Sequence, residues 1–133
     1  RLQRLIEAAY SHFEQAPGWP GALYDILKDL SQKFPNYPII ICENGSVKIT
    51  DGWEREKYIR EHVSQVQRAI KDGMKVEAYL YWAITSNREW DLEFNDASDF
   101  GLYKIDLDHD PALTRKRTPG ADAYEQIIKD RRG

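Results

Sequence analysis

Two carboxylates stand where a parallel α/β fold would collect reactive side chains. Glu43 comes directly after a run of β-branched residues and directly before an Asn-Gly turn signal. Glu89 and Trp90 follow a second, aromatic-rich run that ends near Trp82. Parallel folds place reactive groups at the C-terminal ends of their strands. Position alone does not indicate catalysis, because an isolated Glu before a turn is usually solvated and an isolated Trp usually lies in the core.

Other groupings of reactive residues favour structural explanations. Cys42 stands beside Glu43, but no His lies within motif distance to activate it as a nucleophile. The acidic stretch 106–110, which contains His109, resembles a calcium loop but has neither the central Gly nor the terminal Glu of an EF-hand. We therefore predict a solvated turn there, no metal site and no cofactor.

The composition disfavours several classes of partner. A charged fraction of 31% and a formal net charge of −3 give no electrostatic reason for binding nucleic acid or an anionic membrane. No stretch approaches the roughly 20 apolar residues that a membrane span needs. The single cysteine is typical of a reducing compartment, so the expected location is the cytoplasm. The first residue is Arg1 and not Met, which suggests a processed, truncated or partly described polypeptide.

Hydrophobic periodicity divides the chain into alternating helices and strands. The predicted helices cover residues 2–15, the segment from Pro20 to just before Pro35, the segment from Asp51 to Gly73, and a terminal helix from Pro119. The predicted strands cover Ile39–Cys42 and Met74–Ile84, with a short extended piece over Phe100–Ile105. Asp51 and Glu54 have the spacing of a capping box. The successive β-branched residues of the first strand predict burial on both of its faces.

The order of these elements predicts an α/β fold with parallel strands. Each helix between strands has the length of a crossover connection. Two parallel strands, however, cannot cover both of their faces and edges by themselves. We therefore predict that residues 1–133 form a single partial domain whose remaining strands lie elsewhere.

Several segments together resemble the family 1 glycoside hydrolases. Residues 38–45 (PIIICENG) resemble the family's nucleophile motif, usually P-I-x-I-T-E-N-G, with Cys42 in place of Thr. Residues 81–90 (YWAITSNREW) resemble its W-S-L-x-D-N-x-E-W segment. Three shorter matches are Arg55, Tyr58, Ile59, His62 and Val63 on a helix, Phe100–Leu102 with Asp106, and residues 20–24 (PGALY). The resemblance covers residues 17–130, and residues 1–16 stay unassigned.

The resemblance implies the C-terminal portion of a (β/α)8 TIM barrel, comprising strands seven and eight with their flanking helices. Glu43 is then the nucleophile of a retaining β-glycosidase, which attacks the anomeric carbon and forms a covalent glycosyl-enzyme. The family's acid/base carboxylate lies in an N-E-P motif after strand four, and this sequence contains no such tripeptide. That residue must therefore come from a segment absent from this chain.

The resemblance also assigns sugar-binding roles. Glu89 accepts hydrogen bonds from glycone hydroxyls, Trp90 donates one from its indole, and Trp82 is the platform for the pyranose ring. Retention of Glu89 and Trp90 implies an unphosphorylated substrate, a small β-glycoside or oligosaccharide.

Some positions depart from the family pattern and put substrate preference in doubt. Ser86 stands where Asp is usual, Arg88 replaces an aromatic residue, and Asp99 stands where Arg is common. Glu93-Phe94 replaces Gly-Tyr, and about two extra residues precede Phe100.

Two functions of different classes remain open. The first is a β-glycoside hydrolase completed by a remaining barrel segment from the same protein or another chain. The second is a catalytically inactive sugar-binding or scaffold piece, because Glu43 without an acid/base cannot perform ordinary double displacement. A related barrel family with Glu at the end of strand seven is disfavoured by the segment Asn87–Trp90.

Overall fold

The computed structural model of the chain describes Phe13 and residues 18–47, 54–90 and 92–132. Apart from Phe13, the helix predicted over residues 2–15 lies outside the described residues. None of the helices that the structure describes is long and apolar enough to cross a membrane.

The described elements alternate between helix and strand. The helices are α1 (Pro20–Lys33), α2 (Arg55–Lys71) and α3 (Pro119–Arg132). The longer strands are β1 (Ile39–Asn44) and β2 (Val76–Tyr81), and the shorter ones are β3 (Tyr103–Lys104) and β4 (Lys116–Arg117). The predicted α/β class and the helices from Pro20 and from Pro119 are confirmed.

Helix α2 starts later than the capping-box prediction placed it. Glu54 is its N-cap, with φ −69° and ψ 146°, and its side chain makes no capping hydrogen bond. An extended backbone at Glu54 excludes this residue from the first helical turn, so the predicted role of Glu54 within that turn is wrong. Asp51 lies outside the described residues. The helix ends before Gly73, whose φ of +90° is a conformation that glycine adopts without strain.

Strands β1 and β2 pair in parallel, as predicted, with α2 as the crossover between them. Ile39 is opposite Val76 and Ile41 is opposite Tyr79. The register of the ladder shifts between Ile39 and Ile40, and again between Ile41 and Asn44. β1 extends two residues beyond the predicted end and includes Glu43. β2 is shorter than predicted and ends at Tyr81, immediately before Trp82.

The helices pack on one face of this two-stranded sheet and form two apolar clusters. One cluster joins α1, α2 and the sheet through Leu27, Val66, Ala69 and Val76, with Ile39 and Ile41 packed against it. The other joins α2, β2 and α3 through Ile59, Val63, Tyr81, Leu102 and Ala121. The core of the described chain therefore lies between the sheet and its helices.

The opposite face of the sheet is open, so the predicted burial of β1 on both faces is wrong for this chain. Ile40 is 52% exposed and Leu80 is 51% exposed. The reason is that the helices that the structure describes cover the other face, which holds Ile39, Ile41 and Tyr79.

A short antiparallel pair follows the long loop after β2. Tyr103 is opposite Arg117 and Lys104 is opposite Lys116. The extended piece predicted over Phe100–Ile105 is confirmed as β3, whereas β4 falls in a basic run for which no strand was predicted. Thr85 also forms an isolated parallel bridge to Tyr103, which ties the segment after β2 to this pair.

Candidate active site

Glu43 lies in the last two residues of β1, at the C-terminal end of the sheet, and its side chain is exposed. The ladder irregularity between Ile41 and Asn44 breaks the alternation of side chains. As a result, Cys42 and Glu43 are both exposed, while Asn44 is partly buried. The structure therefore leaves the Glu43 carboxylate accessible at the end of the strand, where the sequence predicts a nucleophile.

Asn44 fixes the chain directly after Glu43. Its Oδ1 accepts a 2.8 Å hydrogen bond from the Tyr79 hydroxyl, and its Nδ2 donates to the Tyr58 hydroxyl at 3.3 Å. Burial raises the pKa of both tyrosines, so both hydroxyls stay neutral near neutral pH. Because Asn44 is held by α2 and β2, the carboxylate next to it is positioned by the rigid part of the fold.

Gly45 brings the ends of β1 and β2 together. The Trp82 backbone N–H donates to the Asn44 carbonyl oxygen at 3.1 Å. A Cβ atom on Gly45 would lie 1.7 Å from the Trp82 carbonyl oxygen, which no real contact allows. Glycine is therefore required here by the close approach of two backbones, and Trp82 is held beside the segment that carries Glu43.

Trp82 and Glu89 are in direct contact. The Trp82 indole Nε1 donates to Glu89 Oε1 at 2.9 Å, and Asn87 Nδ2 donates to the same oxygen. Glu89 is 8% exposed, whereas Trp82 is 39% exposed. The predicted platform and the predicted acceptor of sugar hydroxyls thus form one hydrogen-bonded unit, with part of the indole open to a ligand.

Trp90 does not join this unit. It is 92% exposed and has a positive φ of 47°, so the backbone turns sharply directly after Glu89. The structure thus brings Trp82 and Glu89 together, places Glu43 at the same end of the sheet, and leaves Trp90 in solvent.

Arg55 supports the site from the start of α2. Its Nε donates to the Ser46 carbonyl at 3.0 Å, its Nη1 to the Gly101 carbonyl at 2.6 Å, and its Nη2 to the Asp99 carbonyl. The planar guanidinium fork can reach three acceptors at once. Arg55 therefore joins the loop after Glu43 to the loop that follows the Trp82–Glu89 unit.

The model of the family described as glycosyl hydrolase family 1 matches residues 7–132. The chain belongs to this family. It is 31% identical over 128 residues to a bifunctional β-D-glucosidase/β-D-fucosidase of Bifidobacterium breve, covering 85% of this chain and 27% of the relative. It is 32% identical over 125 residues to β-glucosidase A of Acetivibrio thermocellus, with the same coverages of 85% and 27%.

Solved structures of glycosidases share the fold. The β-glycosidase of Thermosphaera aggregans superposes with a TM-score of 0.72 at 31% identity, over 84% of this chain and 22% of that one. The chain thus spans roughly a quarter of the length of the relatives that it matches. It is the C-terminal portion of a (β/α)8 barrel, in which β1 and β2 correspond to strands seven and eight, and its described residues do not close a barrel.

Two departures from the family 1 pattern are paired with each other. Ser86 and Asp99 are 5% and 4% exposed, and the Ser86 hydroxyl donates to Asp99 Oδ2 at 2.8 Å. Asp99 Oδ1 also accepts from the Gly101 backbone N–H at 2.8 Å, and Ser86 Oγ accepts from the Ile105 N–H at 3.0 Å. These hydrogen bonds join the two residues to each other and hold the loop together.

Arg88 is a further departure and also makes contacts within the loop. Arg88 pairs with Asp108 and lies over the Phe94 ring, 5.8 Å from its centroid.

Asp106 Oδ1 accepts from the backbone N–H groups of Asp108 and His109, as a carboxylate does in an Asx-type turn. Among the residues that the structure describes, no group of His, Cys, Asp and Glu is arranged to hold a metal ion.

The sequence prediction missed the residues that support the site. Asn87 lies in the matched segment 81–90, and Arg55 and Tyr58 lie in the matched helix pattern. Neither match reveals which atoms these side chains contact. Tyr79 carried no signal beyond its place in an apolar strand. Their roles depend on contacts between residues up to 46 positions apart in the chain.

Proposed function

We propose that this chain is part of a retaining β-glycosidase that hydrolyses β-glycosidic bonds with Glu43 as its nucleophile. The observation that carries the proposal is the shared placement of three groups. In a family 1 chain, an exposed Glu43 and the hydrogen-bonded Trp82–Glu89 unit lie at the C-terminal end of two parallel strands. This is the end at which barrel enzymes perform their chemistry.

Glu43 would attack the anomeric carbon and displace the leaving group, which gives a covalent glycosyl-enzyme. A second carboxylic acid, about 5 to 5.5 Å away in retaining enzymes, would protonate the leaving oxygen and then activate water. We assign that acid/base to the remaining barrel segment, from the same protein or another chain, since this sequence contains no N-E-P motif.

The substrate proposed for this site is a small, unphosphorylated β-glycoside or oligosaccharide. The exposed part of Trp82 would pack against the apolar face of the sugar ring, and Glu89 would accept hydrogen bonds from its hydroxyls. Trp90 would donate its indole N–H to a further hydroxyl once the rest of the barrel encloses the loop that carries it.

The open face of the sheet supports the proposed need for a barrel partner. It presents Ile40 and Leu80, both about half exposed, and each of β1 and β2 pairs only with the other among the described strands. An uncovered apolar face and free strand edges are places where further strands pair and pack. The chain would act in the cytoplasm as a single partial domain of the complete enzyme.

Mass spectrometry of the chain assembled with the remaining barrel segment tests the proposal. A mechanism-based fluoro-glycoside should label the peptide that contains Glu43, and Glu43→Gln should abolish labelling. The same substitution should lower kcat by more than about a thousandfold. An assembled protein that hydrolyses a β-glycoside without labelling, or with label on another peptide, would contradict the role of Glu43.

The alternative function is a catalytically inactive sugar-binding or scaffold piece. It rests on the chemistry that Glu43 without an acid/base carboxylate cannot perform ordinary double displacement. It predicts sugar binding without labelling and without hydrolysis in every assembly that contains the chain. Binding measured by calorimetry with a β-glycoside, together with an unmodified intact mass after exposure to the fluoro-glycoside, would identify this case.

A further inference from the structure

We propose that the Asn44–Gly45 pair is a site of spontaneous deamidation, and that two tyrosine hydroxyls set its rate by holding the Asn44 side chain. The two tyrosines are Tyr58 and Tyr79, whose hydroxyls bond to the Asn44 amide. The modification needs no enzyme and goes beyond the proposed function. Only its effect on hydrolysis rests on that function.

Deamidation at this pair proceeds through a cyclic imide. The Gly45 backbone nitrogen loses its proton to a hydroxide ion and attacks Cγ of Asn44, so that an N–Cγ bond forms. The Cγ–Nδ2 bond breaks, and the leaving nitrogen takes a proton from water and departs as ammonia. One water molecule then opens the imide. Opening at Cγ gives aspartate, whereas opening at the original main-chain carbonyl gives isoaspartate, in which the backbone runs through the former side chain.

The fold keeps this reactive pair at the end of β1. A glycine carries no Cβ to hinder attack by its nitrogen, and Asn44 is the only asparagine of the sequence that precedes a glycine. A Cβ on Gly45 would lie 1.7 Å from the Trp82 carbonyl oxygen, so a bulkier and less reactive residue does not fit there. The pair that deamidates most readily therefore stands directly after Glu43.

The structure also contains what opposes ring closure. Asn44 is the last residue of β1, and the imide requires a ψ outside the β region. The Tyr79 hydroxyl donates to Asn44 Oδ1 at 2.8 Å, and Asn44 Nδ2 donates to the Tyr58 hydroxyl at 3.3 Å. Rotation of Cγ toward the Gly45 nitrogen must break both hydrogen bonds. This tyrosine pair, Tyr58 and Tyr79, therefore slows the reaction.

The tyrosine pair keeps its hydrogen bonds where deamidation is fast. Because the attacking nitrogen must lose a proton, the reaction accelerates in mildly alkaline solution. Burial raises the pKa of both Tyr58 and Tyr79 above the usual value of a phenol, so neither hydroxyl ionises there. The proton that Tyr79 donates to Asn44 thus stays in place.

Isoaspartate at position 44 would disturb the contacts that hold the strand ends together. The Asn44 carbonyl oxygen accepts the Trp82 backbone N–H at 3.1 Å. In isoaspartate that oxygen belongs to a free carboxylate outside the backbone. The backbone also gains a carbon atom directly after Glu43. With the proposed function, a modified chain should therefore lose the alignment of its nucleophile.

The first test follows deamidation of the chain in mildly alkaline buffer, with and without urea. Mass spectrometry detects the amide-to-acid conversion in the peptide that contains Asn44, and chromatography separates isoaspartate from aspartate. In urea this peptide should convert faster than the one that contains Asn36, which precedes the bulkier Tyr37. The folded chain should convert at least about tenfold more slowly than the unfolded chain. Equal rates in the two states would overturn the proposal.

Conservative variants identify the source of the protection. Tyr79→Phe keeps the ring and removes the donor to Asn44, so conversion should accelerate by roughly three- to tenfold. Tyr58→Phe removes the acceptor of the longer hydrogen bond and should accelerate conversion by a smaller factor. Tyr124→Phe is the matched control, because the Tyr124 hydroxyl donates to the Tyr79 carbonyl at 3.2 Å and not to Asn44. It should leave the rate unchanged.

Comparison of the variants separates the tyrosine pair from overall stability. A Tyr79→Phe chain that converts at the wild-type rate would overturn the proposal. Equal acceleration in Tyr79→Phe and Tyr124→Phe would overturn it too, because the rate would then follow global unfolding alone. If circular dichroism shows that Tyr79→Phe is unfolded, the comparison of Tyr58→Phe with Tyr124→Phe decides in the same way.

The second test ages the assembled enzyme and follows β-glycoside hydrolysis together with the isoaspartate content at position 44. The lost fraction of activity should rise in step with the isoaspartate fraction. Full activity at a high isoaspartate fraction would contradict the expected effect on the nucleophile. A fresh wild-type assembly that hydrolyses no β-glycoside would contradict the proposed function, while the peptide masses would still decide whether Asn44 deamidates and what slows it.

Discussion

At the scale of single residues, close contacts constrain the segment that follows Glu43 in the candidate site. Glu43 is exposed because its neighbour Asn44 is held by Tyr58 and Tyr79 on the helix side of the sheet. Gly45 allows the chain after Glu43 to touch the backbone of Trp82. The Glu43 carboxylate is thus accessible, while the residues directly after it are tightly constrained.

Gly45→Ala should separate the ends of β1 and β2. The added Cβ would lie 1.7 Å from a backbone oxygen, so the backbone itself must move. We expect a loss of roughly 3 kcal/mol or more in the free energy of unfolding, measured by urea denaturation. Gly21→Ala is the matched control, since its Cβ would meet only the Trp19 side chain at an ordinary 3.5 Å. Equal stability of the two variants would show that Gly45 is not constrained.

His62 should make the stability of the chain depend on pH. Burial lowers its pKa, against the opposing effect of the 2.8 Å contact between its Nδ1 and the Tyr58 carbonyl. The unfolded chain, with a His pKa of about 6.5, therefore binds the proton first as pH falls. The contribution of His62 to the free energy of unfolding should be constant above about pH 6.5, which is the pKa in the unfolded chain. It should decrease as the pH falls below about 6.5 and become constant again below the pKa of His62 in the folded chain.

Denaturation of wild type and His62→Phe across this pH range measures the effect. Phe keeps an aromatic ring for stacking on Tyr58, whose ring centroid is 3.7 Å from that of His62. The wild-type chain should lose more stability than the variant on acidification. Parallel curves for the two proteins would contradict a contribution from His62.

At the scale of elements, loops that are distant in sequence are joined by one side chain at the start of α2. Arg55 donates to the carbonyls of Ser46, Asp99 and Gly101, and Gly120 of α3 packs closely on its aliphatic stem. The loop carrying Ser86 and Asp99 is further fixed by the hydrogen bond between them. The long segment between β2 and α3 is therefore held by specific contacts, although its regular structure is short.

Arg55→Lys should loosen both loops at once. An ammonium group keeps the charge but cannot reach three carbonyls in the geometry of a guanidinium fork. We expect a loss of about 2 kcal/mol in the free energy of unfolding and faster amide exchange at Gly101. Arg60→Lys, on the exposed side of the same helix and paired with Glu56, should change stability by less than about 0.5 kcal/mol. Comparable losses in the two variants would exclude the proposed joining role.

At the scale of the whole molecule, the chain is part of a barrel, and its described helices cover one face of the sheet. The helices cover one face of the sheet, and the face that carries Ile40 and Leu80 is open. In a closed barrel the open face is the interior. The exposed apolar residues are thus explained by the architecture of the family and not by poor packing.

Leu80→Lys should have different effects on the chain alone and on the assembly. Leu80 is 51% exposed, so the substitution should change the free energy of unfolding of the chain by less than about 0.5 kcal/mol. The same substitution should prevent binding of the remaining barrel segment, measured by size-exclusion chromatography. Leu27→Lys, at a position 1% exposed, should instead cost the chain more than about 3 kcal/mol. A Leu80→Lys chain that still assembles would contradict the proposed interface.

The sequence by itself determined the local structure and the family. Periodic apolar residues placed two of the three described helices to within a residue or two. A β-branched run placed β1 and an aromatic-rich apolar run placed β2, because these signals depend on near neighbours. The residues 38–45 and 81–90 carried the resemblance, because motif residues are recognised by their order along the chain. The bounds of the strands and the start of α2 were less well predicted, since hydrogen bonding decides them.

Only the tertiary structure decided which atoms support the site and which face of the sheet is open. The donation of Trp82 and Asn87 to one oxygen of Glu89, the three carbonyls bound by Arg55, and the pairing of Ser86 with Asp99 all join side chains to distant or differently oriented partners. Burial of β1 on both faces was predicted from its own residues, but burial depends on what packs against a strand. The physical reason is that propensity is local, whereas hydrogen bonding between loops and coverage of a sheet depend on the arrangement of the whole chain.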